Sequence, residues 1–204
     1  DVAGFSGRRE RLRPSELGPA MQWLAQFHAT FLGARPEGLW KVGTYWHLGT
    51  RQDEFAAMAP SVLKTAAQRL DVRLLEARHQ TLVHGDAKLE NFCFSERGSE
   101  VAALDFQYVG RGVGVRDLAY FLGSALSPAE LEAQGDRLLE DYLAALGHAL
   151  VRRGLEANSV VEEWRELYCV AWADFHRFLL GWAPRHAHED RYTSRMVRRA
   201  LAGS

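Results

Sequence analysis

Apolar positions recur at helical spacing in three long tracts, with short apolar runs of strand length between the first two. Pro14-Ser15-Glu16 opens a pattern carried by Met21, Trp23, Leu24, Phe27, His28 and Phe31, which predicts a helix near the N-terminus. Ser127-Pro128-Ala129-Glu130 supplies an N-cap, a proline at the first helical position and a first-turn acid. The helix it opens carries Leu131, Leu138, Leu139, Tyr142, Leu143 and Leu146, with Gly147 or Gly154 as its stop. A further helix spans about Val160 to Trp182, and the pattern after Tyr120 is helical almost throughout. Between the first two tracts, Thr81-Leu82-Val83, Phe92-Cys93-Phe94 and Val101-Ala102-Ala103-Leu104 read as short strands. The last two flank Glu96-Arg97-Gly98-Ser99, a Gly-containing turn that predicts a hairpin. The fold class is α+β and mainly α, with helices around a short β-hairpin. Without repeats, linkers or low-complexity segments, 1–204 reads as a single domain.

The hairpin is where the chemistry concentrates. His84-Gly85-Asp86 is followed by Lys88, Glu90 and Asn91, and the returning strand ends in Leu104-Asp105-Phe106-Gln107. Phosphoryl transfer needs a carboxylate to orient or deprotonate an attacking hydroxyl, an amide oxygen for a divalent metal, and a second carboxylate to bridge that metal to nucleotide phosphates. Asp86, Asn91 and Asp105 fit those roles, and the hairpin carries Asn91 and Asp105 to one edge. Lys88, two residues after Asp86, is a candidate cation for the transferring phosphoryl group. His84 is read as structural, bonding backbone near the loop, and Glu90 as a solvated carboxylate. Gly110-Arg111-Gly112-Val113-Gly114 lies between Asp105 and the Asp117 helix, the wrong context for a phosphate-cradling loop, and is read as a flexible segment near the site.

His84-Gly85-Asp86 through Asn91, Leu104-Asp105-Phe106-Gln107 and Asp117-Leu118-Ala119-Tyr120 together resemble the aminoglycoside phosphotransferase and choline kinase group of protein-kinase-like enzymes, most of all its ecdysteroid-kinase-like branch. The resemblance covers about Asp1 to Tyr120 well and the remainder loosely. It implies the C-terminal lobe of that fold, with residues 81–120 as catalytic and metal-binding core and 127–204 as helical remainder. It further implies ATP and Mg2+ as cofactors, Asp86 as catalytic base, Asn91 and Asp105 as magnesium ligands, and Asp117 as the buried aspartate bracing the catalytic loop. Gly85 stands where many protein kinases carry the arginine that reads a phosphorylated activation loop. Eleven residues separate Asp105 from Asp117 and no Ala-Pro-Glu follows, too short an interval for a peptide-docking segment. The implied acceptor is therefore a small-molecule hydroxyl or amine.

Such an enzyme also needs a β-rich lobe with a lysine for the α- and β-phosphates and a glutamate to hold it. Nothing before Leu82 alternates long enough to build one, so the chain resembles only the C-terminal lobe, with residues 1–13 as a hinge tail. Lacking an initiator Met, Asp1 reads as internal to a longer gene product whose N-terminal lobe would be the partner. At 204 residues with 47% hydrophobic and 25% charged content, the chain can bury a core without metals or disulfides. A formal charge of −1 gives no case for nucleic acid or a membrane surface. The clusters Arg8 to Arg13 and Arg195 to Arg199 are read as solvated faces or, near the hinge, as surface facing the missing lobe. Cys93 and Cys169 form no disulfide framework, which points to a reducing compartment and a cytoplasmic setting. No stretch reaches a membrane span and no signal-peptide core is visible.

The Val160 to Trp182 tract carries Trp164, Tyr168, Trp172, Phe175 and Trp182, with Asp174 and His176 among them. In choline-kinase-like enzymes an aromatic wall beside an acidic group captures a cationic acceptor, which makes Trp172, Asp174 and His176 the substrate candidates. The same spacing describes an ordinary core stripe, the reading preferred here. Trp40, Tyr45, Trp46 and His47 fall in a loop between helices, where burial under the loop is expected. A different functional class stays open: a catalytically silent lobe acting as a binding or regulatory module.

Overall fold

The computed structural model describes residues 4–5, 7–187 and 190–203. Among the described residues, seven α-helices surround two small antiparallel sheets: α1 (Pro14–Thr30), α2 (Gln52–Ala57), α3 (Val62–Leu75), β1 (Thr81–Val83), β2 (Phe92–Phe94), β3 (Val101–Ala103), β4 (Gly110–Gly112), α4 (Val115–Ala125), α5 (Pro128–Arg152), α6 (Asn158–Trp182) and α7 (Arg191–Ala202). The mainly helical α+β class expected from the pattern is the one observed. Of the segment 1–13 expected to be a hinge tail, Asp1 to Ala3 and Ser6 lie outside the described residues, while Gly7 pairs with Phe94 through two backbone hydrogen bonds of 2.9 and 3.2 Å.

Local chemistry explains the helix ends. At the start of α1, Glu16 accepts from the Arg13 backbone N–H at 2.9 Å and from the Arg9 and Arg13 side chains at 2.9 and 2.8 Å. Arg9 and Arg13 thereby clamp a buried carboxylate, while Arg8, Arg11 and Arg13 remain exposed, as the solvated-face reading of the cluster has it. Ser127 and Glu130 cap α5 reciprocally. Gly154, at φ 71°, ends it: its N–H bonds the Val151 carbonyl and Leu155 bonds Leu150, a Schellman arrangement. Gly147 is an ordinary interior residue of α5. The α2 and α3 segments were not marked by the sequence pattern; α3 is capped by Ser61 and buries Leu63, Ala66, Ala67, Leu70 and Leu74.

Helix α6 runs through the middle and packs against α2, α3, α4, α5 and α7. Its Trp164 is fully buried and donates its indole N–H to the His79 carbonyl at 3.0 Å, so truncating it to Ala should cost about 3–5 kcal/mol. The two sheets are β1 with β4 (Thr81 opposite Gly112) and β2 with β3 (Phe92 opposite Ala103). The glycine run thus corrects the sequence reading, since Gly110–Gly112 is a strand and Gly114 caps α4. Its glycines serve close packing. A Cβ on Gly110 would lie 2.3 Å from the Trp40 carbonyl, and one on Gly114 2.4 Å from the Trp164 ring.

Candidate active site

Strand β1 ends at Val83 and delivers residues 84–91 as a loop held almost entirely by hydrogen bonds to its backbone. Asp117, in the first turn of α4 and 2% exposed, accepts from the His84 N–H at 2.6 Å and the Gly85 N–H at 3.0 Å. His28 on α1 adds a third donor, its Nε2 3.0 Å from the same carboxylate, and accepts at Nδ1 from the Tyr142 hydroxyl at 2.8 Å. The His84 tautomer follows from its partners. Nε2 faces the Leu104 carbonyl at 2.8 Å and must donate, which leaves Nδ1 to accept from the Asp86 N–H at 3.3 Å. Gly85 turns the chain at φ 84°, and a Cβ there would meet the Tyr108 carbonyl at 2.2 Å. A second tie comes from α4, where the Ser124 hydroxyl accepts from the Leu89 N–H at 2.9 Å.

Asp86 is buried at the end of this frame. Its Oδ2 accepts from Asn91 Nδ2 at 2.8 Å and lies 3.4 Å from Lys88 Nζ, while Oδ1 is buried without a hydrogen-bond partner among the described residues. Burial pushes the Asp86 carboxyl above the ordinary aspartate range, and Lys88 and Asn91 only partly offset it. Asn91 Nδ2 also donates to the Asp86 carbonyl at 2.8 Å, so both amide protons are committed and Oδ1 is the free end of the side chain. The Leu104 N–H donates to the Asn91 carbonyl at 2.8 Å, extending the hairpin one residue and setting Asp105 just past the ladder. Asp105 is exposed and adopts φ 61°, a left-handed conformation that Asp tolerates better than most residues. Its carboxylate makes no ion pair or hydrogen bond with another described residue. No group of three His, Cys, Asp or Glu side chains forms a metal cluster among the described residues.

A cavity of about 820 Å³ opens beside Asp86 and Lys88. Five aromatic side chains stand in its wall: Tyr45 from the loop after α1, Tyr108 from the segment after Asp105, Tyr120 on α4, and Phe175 and Trp182 on α6. Tyr120 donates to the Tyr45 hydroxyl at 3.3 Å, and burial raises the pKa of both phenols. Glu90 and Arg51 sit in the same lining.

The substrate candidates drawn from α6 are not part of that lining. Asp174 is fully buried and ion-paired with Arg116 at 3.2 Å and Arg177 at 2.8 Å, so no acceptor can reach it. Trp172 is buried edge-on against Tyr192 and donates to Thr193 at 3.2 Å. With His176 it borders only a recess of about 50 Å³. The core-stripe reading describes Trp164 to Trp172, and the stripe meets the cavity only further along, at Phe175, Leu179 and Trp182. Sequence reasoning missed Tyr45 and Tyr108 as cavity residues, the Ser124 tie, and His28 as a donor to Asp117. Only Tyr120 carried a signal, three residues after Asp117 in a quoted motif.

A comparison with curated proteins finds no match. Among solved structures, the chain is similar to the choline kinase LicA from Streptococcus pneumoniae at 16% identity and TM-score 0.47, covering 93% of this chain and 63% of that one. A choline/ethanolamine kinase family protein from Mesorhizobium loti gives 15% identity and TM-score 0.49, covering 99% and 73%. An amicoumacin kinase in complex with AMP-PNP, Ca2+ and Ami gives 15% identity and TM-score 0.47, covering 97% and 62%. The chain therefore spans less than two thirds of the length of the first of these. Residues 42–154, more than half of the chain and including the loop 84–91, the hairpin and α4, match the Ecdysteroid kinase-like family, and the chain belongs to that family.

Proposed function

We propose that this chain is the catalytic lobe of an ATP-dependent phosphotransferase that moves the γ-phosphate to a hydroxyl of a small molecule held in the aromatic cavity. The observation that carries the reading is the asymmetry of Asp86. In this cavity-lining residue one carboxylate oxygen is fixed by Asn91 and Lys88, and the other is buried without a donor among the described residues. An orphaned buried acceptor is costly, and an acceptor hydroxyl entering the cavity would supply the missing proton donor. Asp86 then orients that hydroxyl and takes its proton, a role its raised pKa suits better than an ordinary aspartate's. Lys88 would place positive charge beside the transferring group.

The donor set fits Mg2+, which prefers hard oxygen ligands and keeps several sites for phosphate and water. Asn91 Oδ1 and the Asp105 carboxylate would hold it, and when bound it would neutralise charge on the phosphate oxygens. The β-rich lobe that clamps the nucleotide would come from elsewhere in the same gene product. Two buried free cysteines support a reducing, cytoplasmic setting, and no described helix is long and apolar enough to cross a membrane.

A pair of variants in the full-length protein tests the reading, with γ-labelled ATP, Mg2+ and a panel of small alcohols. Asp86→Asn should lower transfer at least about a hundredfold while sparing Mg-ATP binding. Asp105→Asn should weaken Mg-ATP binding itself, since an anionic metal ligand is lost. Near-normal transfer by the first would remove Asp86 as the base, unchanged Mg-ATP affinity in the second would remove Asp105 as a metal ligand, and no transfer by the parent would favour a silent lobe instead.

A further inference from the structure

The segment carrying Tyr45 into the cavity is strained, and what restrains it lies in the core. Thr44 has φ 88°, a conformation that a β-branched residue rarely holds, and its buried hydroxyl has no hydrogen-bond partner among the described residues. Its N–H bonds the Tyr108 carbonyl at 3.3 Å, and the next N–H, that of Tyr45, bonds the Gly85 carbonyl at 2.9 Å, directly before Asp86. One short stretch therefore fixes both a cavity wall and the peptide leading to the candidate base. Such strain persists only where the surroundings over-determine it.

The surroundings are ionic. Trp46 is 1% exposed; the Arg116 guanidinium lies over its ring at 5.5 Å, and Arg177 donates to its carbonyl at 3.2 Å. Arg116 bridges Asp71 on α3, at 3.1 Å, to Asp174 on α6, at 3.2 Å, and Arg177 holds the other oxygen of Asp174 at 2.8 Å. His47 Nε2 lies 3.2 Å from Asp71, close but too poorly aligned for a hydrogen bond. Two arginines and two aspartates are thus buried together at the back of the cavity wall. A buried ion cluster adds little stability over well-packed apolar residues, and its best-attested use is to fix one arrangement among several.

We propose that Arg116 is a positioning residue for the acceptor cavity: from within the buried ion cluster it holds Trp46 in place and so keeps the strained Thr44–Tyr45 backbone docked on Gly85. The catalytic part of this assignment rests on the phosphotransferase reading; the structural part does not.

Amide hydrogen exchange on the intact chain tests the structural part. Arg116→Met should speed exchange at Thr44, Tyr45 and His47 by about tenfold or more relative to amides in the middle of α5. Arg116→Lys should give an intermediate effect, and Arg165→Met, which breaks an exposed pair with Glu140, none. Uniform acceleration along the chain, or no change at residues 44–47, would overturn the proposal. Should Arg116→Met fail to fold, Arg116→Lys carries the same comparison. In the full-length protein, with any panel alcohol that the parent phosphorylates, Arg116→Lys should raise the acceptor KM about tenfold at unchanged ATP KM. A rise in ATP KM alone would overturn the positioning role. If the parent phosphorylates no alcohol, the phosphotransferase reading fails, and the clamp stands or falls on exchange alone.

Discussion

Replacing Asp117 with Ala removes a buried acceptor shared by three donors, the His84 and Gly85 amides and the His28 ring. Each stranded buried donor costs roughly 1–3 kcal/mol. Removing the carboxylate also relieves its own burial, so the sum is not the net effect. Losing one partner of a buried charged network typically costs about 3–5 kcal/mol, a large part of the roughly 5–15 kcal/mol that a domain has. For a chain of this size that corresponds to a melting temperature lower by roughly 6–20 °C. Thermal unfolding followed by circular dichroism gives the number directly. Asp117→Asn keeps the shape and one acceptor oxygen but turns an amide donor toward existing donors, and should lie between Ala and parent. A shift under about 3 °C for Ala would mean the loop is held by other contacts, such as Ser124 on Leu89. An Asn variant as stable as the parent would mean that side-chain volume matters more than accepting hydrogen bonds at both oxygens.

Three further outcomes follow from the same geometry. The side-chain bond from Arg13, with Arg9 and the Arg13 amide assisting, outweighs burial and holds the Glu16 carboxyl at about 2, against an ordinary 4.5. A depressed carboxyl stabilises the fold above its unfolded pKa, and the benefit is lost as pH falls from about 4.5 toward 2. Because Arg13 is open to solvent, about 1 kcal/mol is expected, and Glu16→Gln should flatten that part of the stability curve; an unchanged acid limb in urea titrations refutes it. Lys88 opposes the upward push of burial on Asp86, so Lys88→Met should move the acid limb of the pH–rate profile to higher pH, and a downward move would break the assignment. Gly154→Ala forces a side chain into a left-handed C-cap at φ 71° and should cost about 1 kcal/mol, read as a lower urea midpoint at unchanged slope.

What was legible in the chain divides by range. The hairpin could be read because its signals are local. Two short apolar runs flank a Gly98 turn, and Asp86 and Asn91 are set by a spacing the loop itself enforces. Helix α5 could be read from period and caps, and α6 from period alone. Helix α3 could not, because much of its buried face is Ala66 and Ala67, which barely contrast with the polar positions between them. The glycine run was misread for a related reason. Composition reports the freedom of a glycine, but at Gly110 and Gly114 the missing Cβ makes room for Trp40 and Trp164, and only the tertiary fold shows that.

The α6 candidates show the same division at the site itself. From residue 164 to 178 almost every turn of α6 is covered by a neighbouring helix, so periodicity marks an apolar stripe without saying which residues meet a cavity. Asp174 and Arg177 stand three apart, a spacing that on an exposed helix makes a weak surface pair. Here the pair is buried, and its partners Arg116 and Asp71 come from α4 and α3. An acid among aromatics looked like a binding group, yet its charge is already matched within the core, and the cavity takes its character from tyrosines on three other segments. An acid's surroundings can be read from its neighbours in sequence when the frame is local, as at Asp86, and cannot when its counter-charge arrives from another helix.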